Sequence, residues 1–144
     1  MTNPIAHAVT DIEAGAEQVW AALTDPDQIA VYMGGSRVQT TWQVGSPITW
    51  SGEYDGRAYQ DKGEVLRCDE PNVLSVTHYS PLMGQDDVPA NYHTVTYTLS
   101  ANDRTTRVSL TQDGCTDQAQ AEQFSRNWQT MLDALKAHLE SSRR

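Results

Sequence analysis

Four histidines, two cysteines and a surplus of carboxylates are the groups in this chain with reactive chemistry to offer. Asp61 and His78 are the combination of most interest. Strand register, argued below, sets them side by side, and a carboxylate beside an imidazole is a proton-transfer pair suited to neutral pH. The competing reading puts Asp61 at a wet end of a sheet and bonds His78 to backbone. His93 falls on the same face as His78, near Gln112, but a metal site would need a third ligand that no spacing supplies. His7 and His138 read as surface residues. Cys68 and Cys115 lack close-spaced partners and read as free thiols. No Gly-rich nucleotide fingerprint, nucleophile elbow or Cys/His zinc spacing is present, so neither a cofactor nor a metal is expected.

The elements that must position these groups alternate in a simple order. Residues 5–12 read as a strand, and 17–23 (EQVWAAL) as a short amphipathic helix with Val19, Trp20 and Leu23 on one side. "TDPDQI" stops and restarts the helix, with Asp25 as cap and Pro26 at the first helical position. Tyr32, Met33, Gly34 and Gly35 then form a connecting loop or rim. Six strand-like runs follow, at 37–44, 48–54, 57–67, 73–80, 92–99 and 106–113, separated by turn signals. The longest connection, 81–91, reads as a lid. From Asp117 the pattern becomes helical, with Phe124, Trp128, Met131, Leu132, Leu135 and Leu139 at spacings of three and four.

Register decides what these strands present. A three-residue loop at Gly45-Ser46-Pro47 pairs Val44 with Ile48, Trp42 with Trp50 and Val38 with Tyr54, gathering the apolar residues on one face. Asp55-Gly56 is a two-residue hairpin signal that places Trp50 opposite Asp61. Pairing Arg67 with Asn72 sets Val65 against Leu74 and Asp61 against His78. The ANDRT turn pairs Tyr97 with Val108 and Val95 with Leu110. One row of the concave face then reads Trp42, Trp50, Asp61, His78, Val95, Leu110. Gly63 falls on that face too, where a larger side chain is expected to fill space. A curved sheet with one apolar face needs a cover, and the terminal helix supplies it. Sheets wrapped around one helix commonly leave a pocket. Its expected lining is Trp50, Tyr54, Asp61, His78, Tyr97, Phe124 and Trp128.

Composition narrows the partners. A chain of 144 residues has a one-domain length, and 1–144 reads as one domain with its core at about 5–140. One Phe against four Trp and six Tyr favours an interior of amphipathic aromatics. The net charge of −9 argues against nucleic acid and anionic lipid. No apolar run approaches a membrane span, and the first residues lack a signal-peptide pattern, so no membrane insertion and a cytoplasmic location are expected.

"VWAALTDPDQI", "WQVGSPITW", "KGEVLRCDEPNVLSV", "TRVSLTQDG" and "NWQTMLDALKAHLE" resemble, in order and spacing, the activator of heat-shock-protein-90 ATPase homologue-like family. That family belongs to the START/birch-pollen-allergen (SRPBCC) helix-grip superfamily. The resemblance covers about residues 5–140. It implies an α+β helix-grip fold, β-αα-β6-α, with a curved antiparallel sheet wrapped around a long C-terminal helix. It implies no shared catalytic motif. Ser46, Asn127 and Tyr32 depart from residues common in the family. Chaperone-activating members carry a further N-terminal domain, which places chaperone activation behind ligand binding. The first reading is a binding protein for an apolar or aromatic small molecule. An acid–base enzyme using Asp61 and His78 is the alternative. A chaperone-interacting module is a third, and a homodimer is compatible with all three.

Overall fold

The computed structural model describes residues 4–81 and 84–141, with Tyr54 described by its backbone alone. Seven antiparallel strands form one curved sheet in the order β1-β7-β6-β5-β4-β3-β2. The strands are β1 (Ala6–Ile12), β2 (Arg37–Gln39), β3 (Pro47–Tyr54), β4 (Arg57–Asp69), β5 (Val73–His78), β6 (His93–Asn102) and β7 (Thr105–Gln112). Helices α1 (Ala16–Thr24) and α2 (Pro26–Tyr32) bridge β1 to β2, and α3 (Gln118–Ser141) closes the chain. This is the helix-grip architecture.

Local chemistry accounts for the helix boundaries. Asp25 stops α1 and caps α2, its carboxylate accepting from Asp27 N at 3.0 Å with Pro26 at the first turn. Asp117 caps α3 by accepting from Gln120 N at 2.8 Å. Alternation carries the sheet's inner face: Thr106, Val108, Leu110 and Gln112 point inward from β7, and Val95, Tyr97 and Leu99 from β6. Small side chains at Ala6 and Ala121 let α3 approach β1 closely.

Several of the register expectations are corrected. Val38 pairs with Trp50, so Trp42 and Trp50 are not cross-strand partners, and Val38 does not face Tyr54. The connection is longer than three residues because Trp42 adopts a left-handed backbone (φ 63°) and Gly45 N and Ser46 O bond to Val65 of β4. The run predicted at 37–44 is therefore a strand only at Arg37–Gln39. A bulge between Val65 and Arg67 shifts β4 against β5, pairing Val65 with Val76 instead of Leu74. Arg67 pairs with Ser75 instead of Asn72, and Asp69 with Val73, so the turn runs over residues 70–72 instead of 68–71. Tyr97 pairs with Leu110 and Val95 with Gln112, two residues along from the expected partners. The Asp55-Gly56 hairpin stands as read, with Tyr54 opposite Arg57 and Trp50 opposite Asp61. Val38, Val65, Val95 and Tyr97 moved by even steps, which keeps each side chain on its face, whereas Arg67, beyond the bulge, moved by three.

One edge of the sheet is closed by side chains. The outward backbone groups of β1 meet a polar row on α3. Ser125 Oγ accepts from His7 N at 2.9 Å, and Gln129 both accepts from Val9 N and donates to Val9 O. Lys136 Nζ donates to Asp11 O at 2.6 Å, and Glu140 accepts from Glu13 N at 3.0 Å. The neighbouring face of the same helix carries Leu132, Leu135 and Leu139 into the core.

Candidate functional site

Between the sheet and α3 lies a chamber of about 600 Å³. Its floor comes from inward positions of β3 to β6: Ile48, Trp50, Tyr59, Leu74, Val76 and Tyr97. Its roof comes from α3, through Trp128, Met131 and Ala134, and one end is closed by Leu23, Ile29 and Tyr32. Tyr32 is held by its hydroxyl, which donates to Ala22 O at 2.8 Å. Trp42 reaches the same chamber from its loop, so both indoles of the 41–56 stretch line it without being paired.

Asp61 and His78 are the charged and ionisable exceptions in this lining, apart from phenols. Asp61 Oδ2 and His78 Nε2 are 2.8 Å apart, with the two side chains 16% and 28% exposed. They are not direct cross-strand partners, because the nearest bridge joins Lys62 to Tyr79. They meet diagonally, as long polar side chains on one face can. Trp50 sets its ring edgewise against the His78 ring at 5.1 Å between centroids. The other carboxylate oxygen, Asp61 Oδ1, is buried and has no hydrogen-bond partner among the described residues. Burial pushes the Tyr97 and Tyr32 phenols well above their ordinary range, so both remain protonated donors at any physiological pH.

A second chamber of about 560 Å³ adjoins the first. Asp61, His78, Asn127, Trp128 and Met131 border both, and form the neck between them. The outer chamber is more polar, with Ser80, Gln85, Asn91, His93 and Gln112 in its wall. His93 pairs with His78 across the strands, and its Nδ1 lies 3.1 Å from Asp113 O. No cluster of three or more metal-ligating side chains occurs among the described residues.

The expected residues divide between the chambers. Trp50, Tyr97, Asp61, His78 and Trp128 line the inner one. Phe124 stands in the outer chamber instead, edgewise to His93 at 6.4 Å. The Tyr54 side chain lies outside the described residues. Trp128 is only half-buried, and its indole nitrogen donates to Gln112 Oε1 at 2.6 Å. His138 is not a plain surface residue, since its Nε2 lies 2.9 Å from Gln28 Oε1. Tyr59, Val76 and Gln112 were missed. Period-two alternation from Asp61 and Leu110 reaches Tyr59 and Gln112, so that signal was available. Asn127 sits off the apolar stripe of α3, and in the sequence it stood out as a departure from the family's common residue and not as a lining residue. Gly63 cannot host a larger side chain, because a Cβ there would lie 1.7 Å from Thr77 O.

The segment read as a lid is tied down where it is described. Lys62 and Tyr92 both bind the Asp87 carboxylate, and the Tyr79 hydroxyl donates to Gln85 O at 2.6 Å. Leu82 and Met83 lie outside the described residues. Both cysteines are free, and burial raises each thiol above its ordinary range, which makes them poor nucleophiles.

Residues 13–140 match the activator of Hsp90 ATPase homolog 1-like protein family. The chain belongs to this family. A solution structure from Cytophaga hutchinsonii is 43% identical, with 99% of this chain and 97% of that one covered and a TM-score of 0.87. More distant solved structures share the fold. CalU16 from Micromonospora echinospora is 21% identical, covering 94% of this chain and 76% of its own, with a TM-score of 0.71. The Aha1 dimer from Colwellia psychrerythraea is 19% identical, covering 94% of this chain and 96% of its own, with a TM-score of 0.72. No curated protein sequence matches the chain.

Proposed function

We propose that this family member binds an apolar or aromatic small molecule between its sheet and α3. The observation that carries this reading is the inner chamber, whose volume of about 600 Å³ falls in the range of small-molecule sites, roughly 300–1,000 Å³. Trp50, Tyr97 and Trp128 would supply apolar contact, at about 25 cal/mol per Å² before ordering costs. Asp61 and His78 would orient the ligand, and Asp61 Oδ1 gives a reason to favour one with a hydrogen-bond donor. That oxygen has no partner where it is, so a rotation of the carboxylate toward a ligand hydroxyl would relieve an unmet acceptor. Phe124 borders the outer end, and Tyr54 remains a candidate at the β3–β4 tip.

The test is to fill the chamber. Ala134→Phe adds a ring on the roof without opening a cavity, and is expected to cut the affinity of a naphthalene probe tenfold or more while the fold melts cooperatively. Equal probe binding by the wild type and the variant would remove the reading.

The 2.8 Å contact between Asp61 and His78 at the neck supports a second reading, acid–base catalysis on the bound molecule. His78→Gln would then abolish turnover and leave binding of the molecule nearly intact. A second copy of this chain as partner draws support from the Colwellia protein, which is described as a dimer. Sedimentation across a concentration series decides that point. A chaperone ATPase as surface partner, in keeping with the family's description, would be indifferent to Ala134→Phe. A cytoplasmic location belongs to the same proposal, and no helix of the described residues is long and apolar enough to cross a membrane.

A further inference from the structure

We infer that the outer chamber recognises an uncharged carbonyl oxygen on the molecule held in the inner one, with Gln112 Nε2 as the donor. This inference rests on the ligand-binding reading and specifies its ligand class. Gln112 ends β7 with only 6% of its surface exposed, yet it lines the outer chamber. An indole N–H can only donate, so the amide atom 2.6 Å from Trp128 Nε1 is the oxygen. That contact fixes the orientation of the whole amide group. The NH2 half is then turned away from the indole and has no acceptor among the described residues. The amide nitrogen is not a sealed orphan, since Asp61 Oδ1 alone has that standing among the described residues, so it keeps access to the chamber, and an amide held rigid there is a preorganised donor.

Position and charge narrow what it would receive. Gln112 is the strand partner of Val95, and Val95 lines the inner chamber, so the donor stands directly across from the inner wall. No lysine or arginine borders the outer chamber among the described residues, and Asp61 stands at its neck. His78 is engaged with Asp61, and the His93 Nδ1 faces the Asp113 carbonyl. An incoming carboxylate would meet a like charge with no guanidinium or ammonium to receive it. A ketone, amide or quinone oxygen pays no such penalty. The ligand class is therefore a flat apolar body with a neutral carbonyl at one end.

Calorimetric titration with three matched probes tests this: acetylnaphthalene, ethylnaphthalene and naphthoate. The wild type is expected to bind acetylnaphthalene about fivefold tighter than ethylnaphthalene, the ratio of one neutral hydrogen bond, and naphthoate more weakly than either. Gln112→Met removes the donor while keeping the side-chain length, and is expected to bring the ratio of acetylnaphthalene to ethylnaphthalene affinity, both measured on the variant, down to about one. Trp128→Phe keeps a ring at the neck but frees the amide, and is expected to reduce the preference in part. An unfolded Gln112→Met would show itself as lost ethylnaphthalene binding, and the Trp128→Phe result then decides. A preference that survives both substitutions overturns the carbonyl inference and leaves the binding reading standing. Tighter binding of naphthoate overturns the neutral class. No binding of either uncharged probe overturns the binding reading together with this one.

Discussion

Gly63 sets how closely β4 and β5 approach. A Cβ there would collide with Thr77 O, and the Thr77 hydroxyl accepts from Glu64 N at 2.9 Å beside it. Gly63→Ala is expected to cost about 3 kcal/mol or more, because backbone and not a flexible side-chain tip must yield. Chemical denaturation measures it, and a loss below about 1 kcal/mol would mean that the strands part easily. Sequence pattern places Gly63 on the inner face but cannot show that another strand's carbonyl occupies the site of its missing side chain. At Tyr32 the consequence is milder. Phenylalanine leaves Ala22 O without its buried donor, for an expected loss of about 1–2 kcal/mol in thermal or denaturant unfolding. Trp128→Ala should fall at about 2–3 kcal/mol, under the range of fully buried aromatics, since this indole is half-exposed to the chambers.

Helices were the easiest elements to read, because their signals are local. Asp25, Pro26 and Asp117 stop and start them by bonds made within a few residues. The strands were legible as segments and faces, while their absolute register was not. A bulge at Leu66 and a left-handed Trp42 are local backbone choices decided by distant partners, Val76 on one side and Val65 on the other. The strap at 84–92 depends on such distant contacts too. Lys62 and the Tyr92 hydroxyl hold the Asp87 carboxyl below its ordinary range. A carboxyl so lowered contributes stability above its unfolded value, near 3.9, and loses it as pH falls through the lower folded one. At neutral pH the strap is fully engaged. Lys62→Met is expected to speed protease cleavage within 84–92 at neutral pH with little change in Tm. Unchanged cleavage would show that the Tyr79 and Tyr92 contacts suffice.

For the whole molecule, the existence of a cavity could be read from a curved apolar sheet with a single covering helix. Its division into two chambers could not, because the neck depends on Asp61 and His78 meeting diagonally and on Asn127, which no periodicity marks. The double duty of α3 has a kinetic corollary. One side roofs the inner chamber, and the other supplies four hydrogen bonds to the backbone of β1 and a fifth to Glu13 just after it. Swinging this helix aside to admit a molecule would expose a raw strand edge along its whole length, so the helix is an unsuitable door. Passage would instead run through the outer vestibule, past Gln85 and Asn91. Exchange rates should then respond to substitutions in the strap and be indifferent to Gln129→Ala, which weakens the seam between β1 and α3 without touching that route.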